Sequence, residues 1–153
     1  MRALGIDYGE RRIGLALSDV TGLLASPWKT IPSAANLKTS AEHLVEAVKQ
    51  LMSEEDGLGA IVIGLPRRLS GEANAQTARV RELATMIAAA VDVPVSLQDE
   101  RLTSREADAL LARGERDWRQ RKKQVDAVAA ALILQDYLDG RPRPTEPPDT
   151  HTA

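Results

Sequence analysis

The stretch Arg2–Asp19, RALGIDYGERRIGLALSD, decides the fold. Its first part, RALGIDYG (2–9), is short and apolar with a glycine on each side of an aspartate, the composition of a buried strand. The run RIGLALSD (12–19) reads the same way, and the short turn at Glu10–Arg11 is expected to fold it back on the first strand. If residues 9–12 form that turn, Asp7 comes opposite Gly14, with Gly5 on its own side of the strand. Small neighbours on that face are expected to leave space above the carboxylate. A mid-strand aspartate in an apolar run is costly unless something pairs with it. A salt-bridged or edge-exposed aspartate is the structural reading; a reactive carboxylate is the functional one.

Outward from this hairpin, LLASPWKTI (23–31) is a poorer third strand, expected at an edge because Pro27 cannot donate to a ladder. The pattern then changes. Leu37, Ala41, Leu44, Val45, Val48 and Leu51 recur at helical spacing. AIVIGLP (60–66) is a buried strand stopped by Pro66, and Val80, Leu83, Ala84, Ile87 and Val91 mark one face of a second helix. VPVSLQDE (93–100) is a fifth strand. Thr103–Ser104–Arg105–Glu106 matches a capping box that opens a helix to about Gly114. The polar link RDWRQRKKQ (116–124) leads to a last helix, VDAVAAALILQDYL (125–138). No repeat or second domain interrupts this order. The prediction is one α/β domain over residues 1–139, a five-stranded mixed sheet with helices on its faces. The four-proline tail GRPRPTEPPDTHTA (140–153) is expected to be disordered.

Composition narrows the chemistry. In 153 residues there is no cysteine, which excludes disulfides, zinc–thiolate sites and thiol nucleophiles. Only His43, inside a helical pattern, and His151, in the tail, could serve histidine-based catalysis, and neither is placed for it. Carboxylates are left, 22 of them against 20 Lys and Arg. With 3% aromatics the chain lacks a base-stacking platform. No signal peptide or apolar span is evident, so a cytoplasmic location is expected.

Three acids stand out by position. Asp7 lies on the first strand. Glu100 ends the fifth, where ligand sites of open α/β sheets gather. Asp126 falls in the first turn of the last helix, where an acid also simply complements the dipole. Carboxylates that converge without histidine or thiolate suit a hard, oxygen-seeking ion such as Mg²⁺ or Mn²⁺. Two such ions about 4 Å apart activate water and stabilise the leaving oxygen of a phosphodiester. Basic groups accompany the acids: Arg11 and Arg12 after the first strand, Arg67 and Arg68 after the fourth, and Arg116, Arg119, Arg121, Lys122 and Lys123 before Asp126. A chain of net charge −2 can still present such local patches to nucleic acid, although a solvated charged linker explains the last group equally well.

RALGIDYGERRIGLALSD, IVIGLPRRLSG (61–71), DERLTSREAD (99–108) and KKQVDAVAAALILQDYLD (122–139) together resemble the bacterial YqgF family, also called RuvX. The resemblance runs in order from about residue 2 to residue 139 and implies a ribonuclease H-like fold. It further implies a nuclease acting at the 5′ end of pre-16S rRNA, with cleavage of four-way DNA junctions as the alternative activity. On this resemblance Asp7, Glu100 and Asp126 are the catalytic, metal-binding triad, Asp7 bridging the metals. The ion would be Mg²⁺ or Mn²⁺, and the protein a monomer or a homodimer. Many relatives carry Met–Asp–Gly where this chain has Leu69–Ser70–Gly71, which leaves the triad intact and the loop's role open.

Two further readings compete. Asp7–Tyr8–Gly9 also fits the strand–Asp–x–Gly phosphate turn of actin-like ATPases. That site lies between duplicated domains, whereas this chain has length for one and no second such turn. The other is an assembly factor that binds nucleic acid without cutting it.

Overall fold

A computed structural model of the chain describes residues 1–66, 75–99 and 118–140, the side chains of 118–124 excepted. Glu100, Arg67, Arg68, the loop 69–71, the helix expected from Thr103 and the tail beyond residue 140 lie outside them. Five strands form one sheet in the order β3-β2-β1-β4-β5. They are β1 (Arg2–Tyr8), β2 (Arg12–Ser18), β3 (Ala25–Pro32), β4 (Leu58–Leu65) and β5 (Val95–Asp99). The first three make an antiparallel meander, and β4 and β5 add in parallel on the other side of β1. The Asp7 strand is therefore the middle one, and the Pro27 strand is an edge, as the sequence predicts.

Among the described residues three helices cover the sheet: α1 (Leu37–Ser53), α2 (Ala75–Ala90) and α3 (Trp118–Gly140). Alternation along the strands divides the work between the two faces. Leu4, Ile6, Ile13, Leu15, Ile61 and Ile63 point to one side and pack with Leu44, Val48 and Leu51 of α1 and Val80, Leu83 and Ile87 of α2. This is the larger core, built from branched side chains. The opposite face carries small residues: Ala3, Ala16 and Val62, packed against Ala130, Ala131, Ile133, Leu134 and Leu138 of α3.

Small residues on both partners let α3 approach closely. A Cβ added at Gly5 would lie 2.8 Å from Leu134 Cβ and 2.9 Å from the Ala130 carbonyl oxygen. With its 23 residues, α3 is roughly 34 Å long and touches every strand of the sheet.

Local signals set the ends of α1. Asn36 caps it, its side chain accepting from Thr39 N–H at 2.8 Å. Beyond it, Gly57 takes a φ of 61° in the turn into β4, a conformation glycine adopts without strain.

One boundary differs from expectation. The polar residues 118–124, read from sequence as part of a link, are the first two turns of α3. Arg, Lys and Gln are good helix formers, and extending an existing helix needs no new nucleus.

Candidate active site

β1, β4 and β5 run parallel, so their carboxyl ends share one end of the sheet. Asp7 stands there on β1, and β5 reaches the same end at Asp99, the residue before Glu100. The hairpin register pairs Asp7 with Gly14, as the sequence predicts. On the other side β1 pairs Ile6 with Ile63, and continuing that register sets Gly64 beside Asp7. Asp7 is thus flanked by a glycine on each neighbouring strand.

The space that Gly14 leaves is filled, contrary to expectation, by helix backbone. A Cβ on Gly14 would sit 1.9 Å from the carbonyl oxygen of Asp126 and 2.9 Å from the Ala127 nitrogen. The Asp126 backbone therefore rests directly over the residue opposite Asp7, on the end of the sheet that carries Asp7. Gly14 and Asp126, 112 positions apart in sequence, meet because β2 has no side chain at their junction.

Asp126 also moves relative to expectation. It lies more than two turns inside α3, not in the first turn, so the helix dipole no longer accounts for it. Arg12 does engage it: Nε donates to Asp126 Oδ2 at 2.7 Å, with the two side chains 35% and 25% exposed. Arg12, expected to be free for nucleic acid, is thus the counter-ion of a candidate catalytic acid. Arg11 is exposed at the turn itself. Arg121, Lys122 and Lys123 fall in the opening turns of α3.

Contacts that the sequence did not reveal brace the turn between Asp7 and Arg12. Gly9 N–H donates to the Arg12 carbonyl at 3.0 Å, and Ser33 N–H donates to the Arg11 carbonyl at 2.9 Å. The Ser33 hydroxyl donates to the Gly9 carbonyl at 2.6 Å, and Gln76 of α2 donates to the Tyr8 carbonyl at 3.2 Å. Thr77, buried at the start of α2, donates to the Pro66 carbonyl at the end of β4. Ser33, just past β3, and residues of α2 thus hold the strand ends that border Asp7. On the same face, Gln98 of β5 donates to Asp136 of α3 at 2.7 Å, tying the strand that leads to Glu100 to the helix that carries Asp126. Ser33, Gln76 and Gln98 are ordinary polar residues in sequence, and only the fold gives them this role.

Among the described residues no group of three His, Asp or Glu forms a metal site. Two of the three expected ligands, Asp7 and Asp126, are brought together, and the third lies outside. Their donor set is all oxygen, which fits a hard divalent ion. No helix among the described residues is long and apolar enough to cross a membrane.

Comparison with known proteins agrees with this architecture. A protein from Pelotomaculum thermopropionicum named "Putative pre-16S rRNA nuclease" is 39% identical over 144 residues, covering 94% of this chain and 90% of the relative. One of the same name from Chloroflexus aggregans is 40% identical over 141 residues, covering 92% of this chain and 95% of the relative. The Thermus thermophilus RuvC structure superposes with a TM-score of 0.53 at 18% identity, covering 90% of this chain and 94% of that one, and so establishes the ribonuclease H-like fold. The family model described as RuvX, Holliday junction resolvase, matches residues 1–140, and with the 39–40% identity of these relatives it shows that the chain belongs to the RuvX family.

Proposed function

We propose that this chain is a divalent-metal-dependent nuclease that hydrolyses a phosphodiester at the 5′ end of pre-16S rRNA. One observation carries the site: the backbone of Asp126 lies over Gly14, the partner of Asp7, so two carboxylates share the end of the sheet. The names of the curated relatives support the substrate.

Asp7, Asp126 and Glu100 would hold Mg²⁺ or Mn²⁺. When bound, the ion supplies a nucleophile from water near neutral pH and stabilises charge on the leaving oxygen. The chain's own contribution is rigidity. Asp7 is fixed by the middle strand, and Asp126 by a helix wedged against two glycines. Ser33 and Gln76 keep the adjoining turn from moving. Precise placement of ligands is where a small displacement is most costly to rate. Arg11, Arg67, Arg68, Arg121, Lys122 and Lys123 attract the phosphate backbone.

The test is Mg²⁺- or Mn²⁺-dependent cleavage of an rRNA precursor and of a four-way DNA junction by wild type and Asp7→Asn. Wild type cuts the rRNA precursor; the variant keeps nucleic-acid binding and loses cleavage. Equal cleavage by the two proteins removes Asp7 from the mechanism. Preference for the junction, together with a dimer in solution, favours the second reading, a resolvase whose paired cuts need two symmetry-related sites. That reading draws on the description of the matching family model. A protein that binds either substrate and cuts neither is an assembly factor.

A further inference from the structure

We propose that Arg12 is a charge latch: without metal its guanidinium is the counter-ion of Asp126, and a divalent cation taken up by Asp7 and Asp126 releases it to hold a phosphate of the nucleic acid. The proposal rests on the reading of those two acids as metal ligands.

The geometry points to exchange rather than permanent pairing. Arg12 Nε occupies Asp126 Oδ2 at 2.7 Å, so one oxygen of a candidate ligand already has a cation on it. An incoming divalent ion meets both that occupied oxygen and the repulsion of a neighbouring positive charge. The movable part of the contact is the Arg12 side chain. Arg12 is the first residue of β2, its backbone is held by the Gly9 bond and the braced turn, and its side chain is 35% exposed. The backbone stays while the guanidinium can swing into solvent at the open end of the sheet.

Once released, a planar fork of donors beside the carboxylates is suited to bidentate phosphate binding, which an ammonium is not. Metal and nucleic acid then help each other through one side chain. Linkage requires that each raise the other's affinity by the same factor, typically 5–150-fold for such couplings. Unloaded protein, with Arg12 occupied, holds nucleic acid less tightly.

Two equilibrium measurements test this without relying on turnover. Mn²⁺ binding is followed by the electron paramagnetic resonance of the free ion. Binding of a labelled RNA stem–loop is followed by anisotropy, with and without Ca²⁺ as the loading ion. Arg12→Gln is expected to bind Mn²⁺ about tenfold more tightly than wild type, because no guanidinium competes, and to lose most of the Ca²⁺-induced gain in RNA affinity. Arg12→Lys keeps the charge without the fork and recovers little of that gain. Metal-free Asp126→Asn frees Arg12 and is expected to bind RNA as tightly as loaded wild type.

Mn²⁺ affinity in Arg12→Gln equal to or below that of wild type overturns the latch, as does metal-free Asp126→Asn binding RNA no better than metal-free wild type. The second result decides the matter even if Arg12→Gln fails to fold. Asp7→Asn separates this failure from failure of the parent reading. If that variant binds Mn²⁺ like wild type, the acids are not ligands and both ideas fall. If it loses Mn²⁺ while Arg12→Gln is unchanged, the nuclease site stands and only the latch is lost.

Discussion

Replacing Gly14 by alanine asks the most of the site with the smallest chemical change. The added methyl would lie 1.9 Å from the Asp126 carbonyl oxygen and 2.2 Å from its carbon, against the 3.0 Å below which real Cβ contacts essentially do not occur. Relief needs α3 to withdraw by about 1 Å, and the helix is held from doing so by its packing through Ala130 and Leu134. A backbone obstacle cannot rotate aside as a long side chain does. The cost therefore belongs at the upper end of overpacking, about 3 kcal/mol. For a chain of this length that lowers Tm by roughly 6–12 °C. The function suffers separately, since misplacing a reacting group by about 1 Å costs on the order of a hundredfold in rate. Gly22→Ala is the control. It stands in an open turn at φ 73° with nothing within 4 Å, so only the left-handed backbone opposes it, about 1 kcal/mol. Urea unfolding followed by far-ultraviolet circular dichroism gives both stabilities, and Mn²⁺ binding reports on the acids. Gly14→Ala within about 0.5 kcal/mol of wild type, with undiminished Mn²⁺ affinity, would refute the close approach of α3 and with it the pairing of Asp7 and Asp126.

Two smaller perturbations probe the frame. Asn36→Ala removes the side chain that accepts from Thr39 N–H at 2.8 Å, and should lower the urea-derived stability by about 1 kcal/mol while leaving Mn²⁺ binding alone; no loss would mean that solvent satisfies the first turn of α1 equally well. In the β2–β3 turn, the Thr21 hydroxyl first, and then the Leu24 N–H, hold the Asp19 carboxyl below its ordinary value. A carboxyl whose pKa is lowered by folding contributes its stability fully above the unfolded value near 3.9, and loses it as pH falls through the folded value. Thr21→Val should raise the Asp19 pKa toward 3.8, read from its side-chain carbon resonance by nuclear magnetic resonance, and make the acid limb of stability shallower. An unmoved titration would assign the effect to the backbone donors instead.

The parts of the fold that could be read from sequence were those governed by short-range rules. A two-residue turn between two apolar runs determines the register, and the register alone pairs Asp7 with Gly14. Alternation in β1, β2 and β4 and helical spacing in α1 and α2 describe the larger core, where branched residues announce themselves. The smaller core was harder because its signal is the lack of a side chain. A glycine is the same letter whether water or a helix lies above it, and Gly5 and Gly14 were read as empty space. The complementary run Ala127, Ala129, Ala130 and Ala131 on the last helix was the available clue that two surfaces without bulk meet. The Arg12–Asp126 pair is hidden in the sequence for a different reason. The two residues are 114 positions apart, and no local pattern marks an ion pair of that separation.

The same distinction changes the case for Asp126. Placed in a first turn, an acid there needs no explanation beyond the helix dipole. The structure puts it over two turns inside α3, where the dipole has faded, with its backbone over the residue opposite Asp7. Neither helix propensity nor packing asks for aspartate at that position, since its neighbours Ala127, Ala129 and Ala130 are what the close contact requires. What the position does have is Arg12 Nε on one of its carboxylate oxygens. An acid that dipole, propensity and packing all leave unexplained, at the end of the sheet that also carries Asp7, is the physical argument for proposing a cation there.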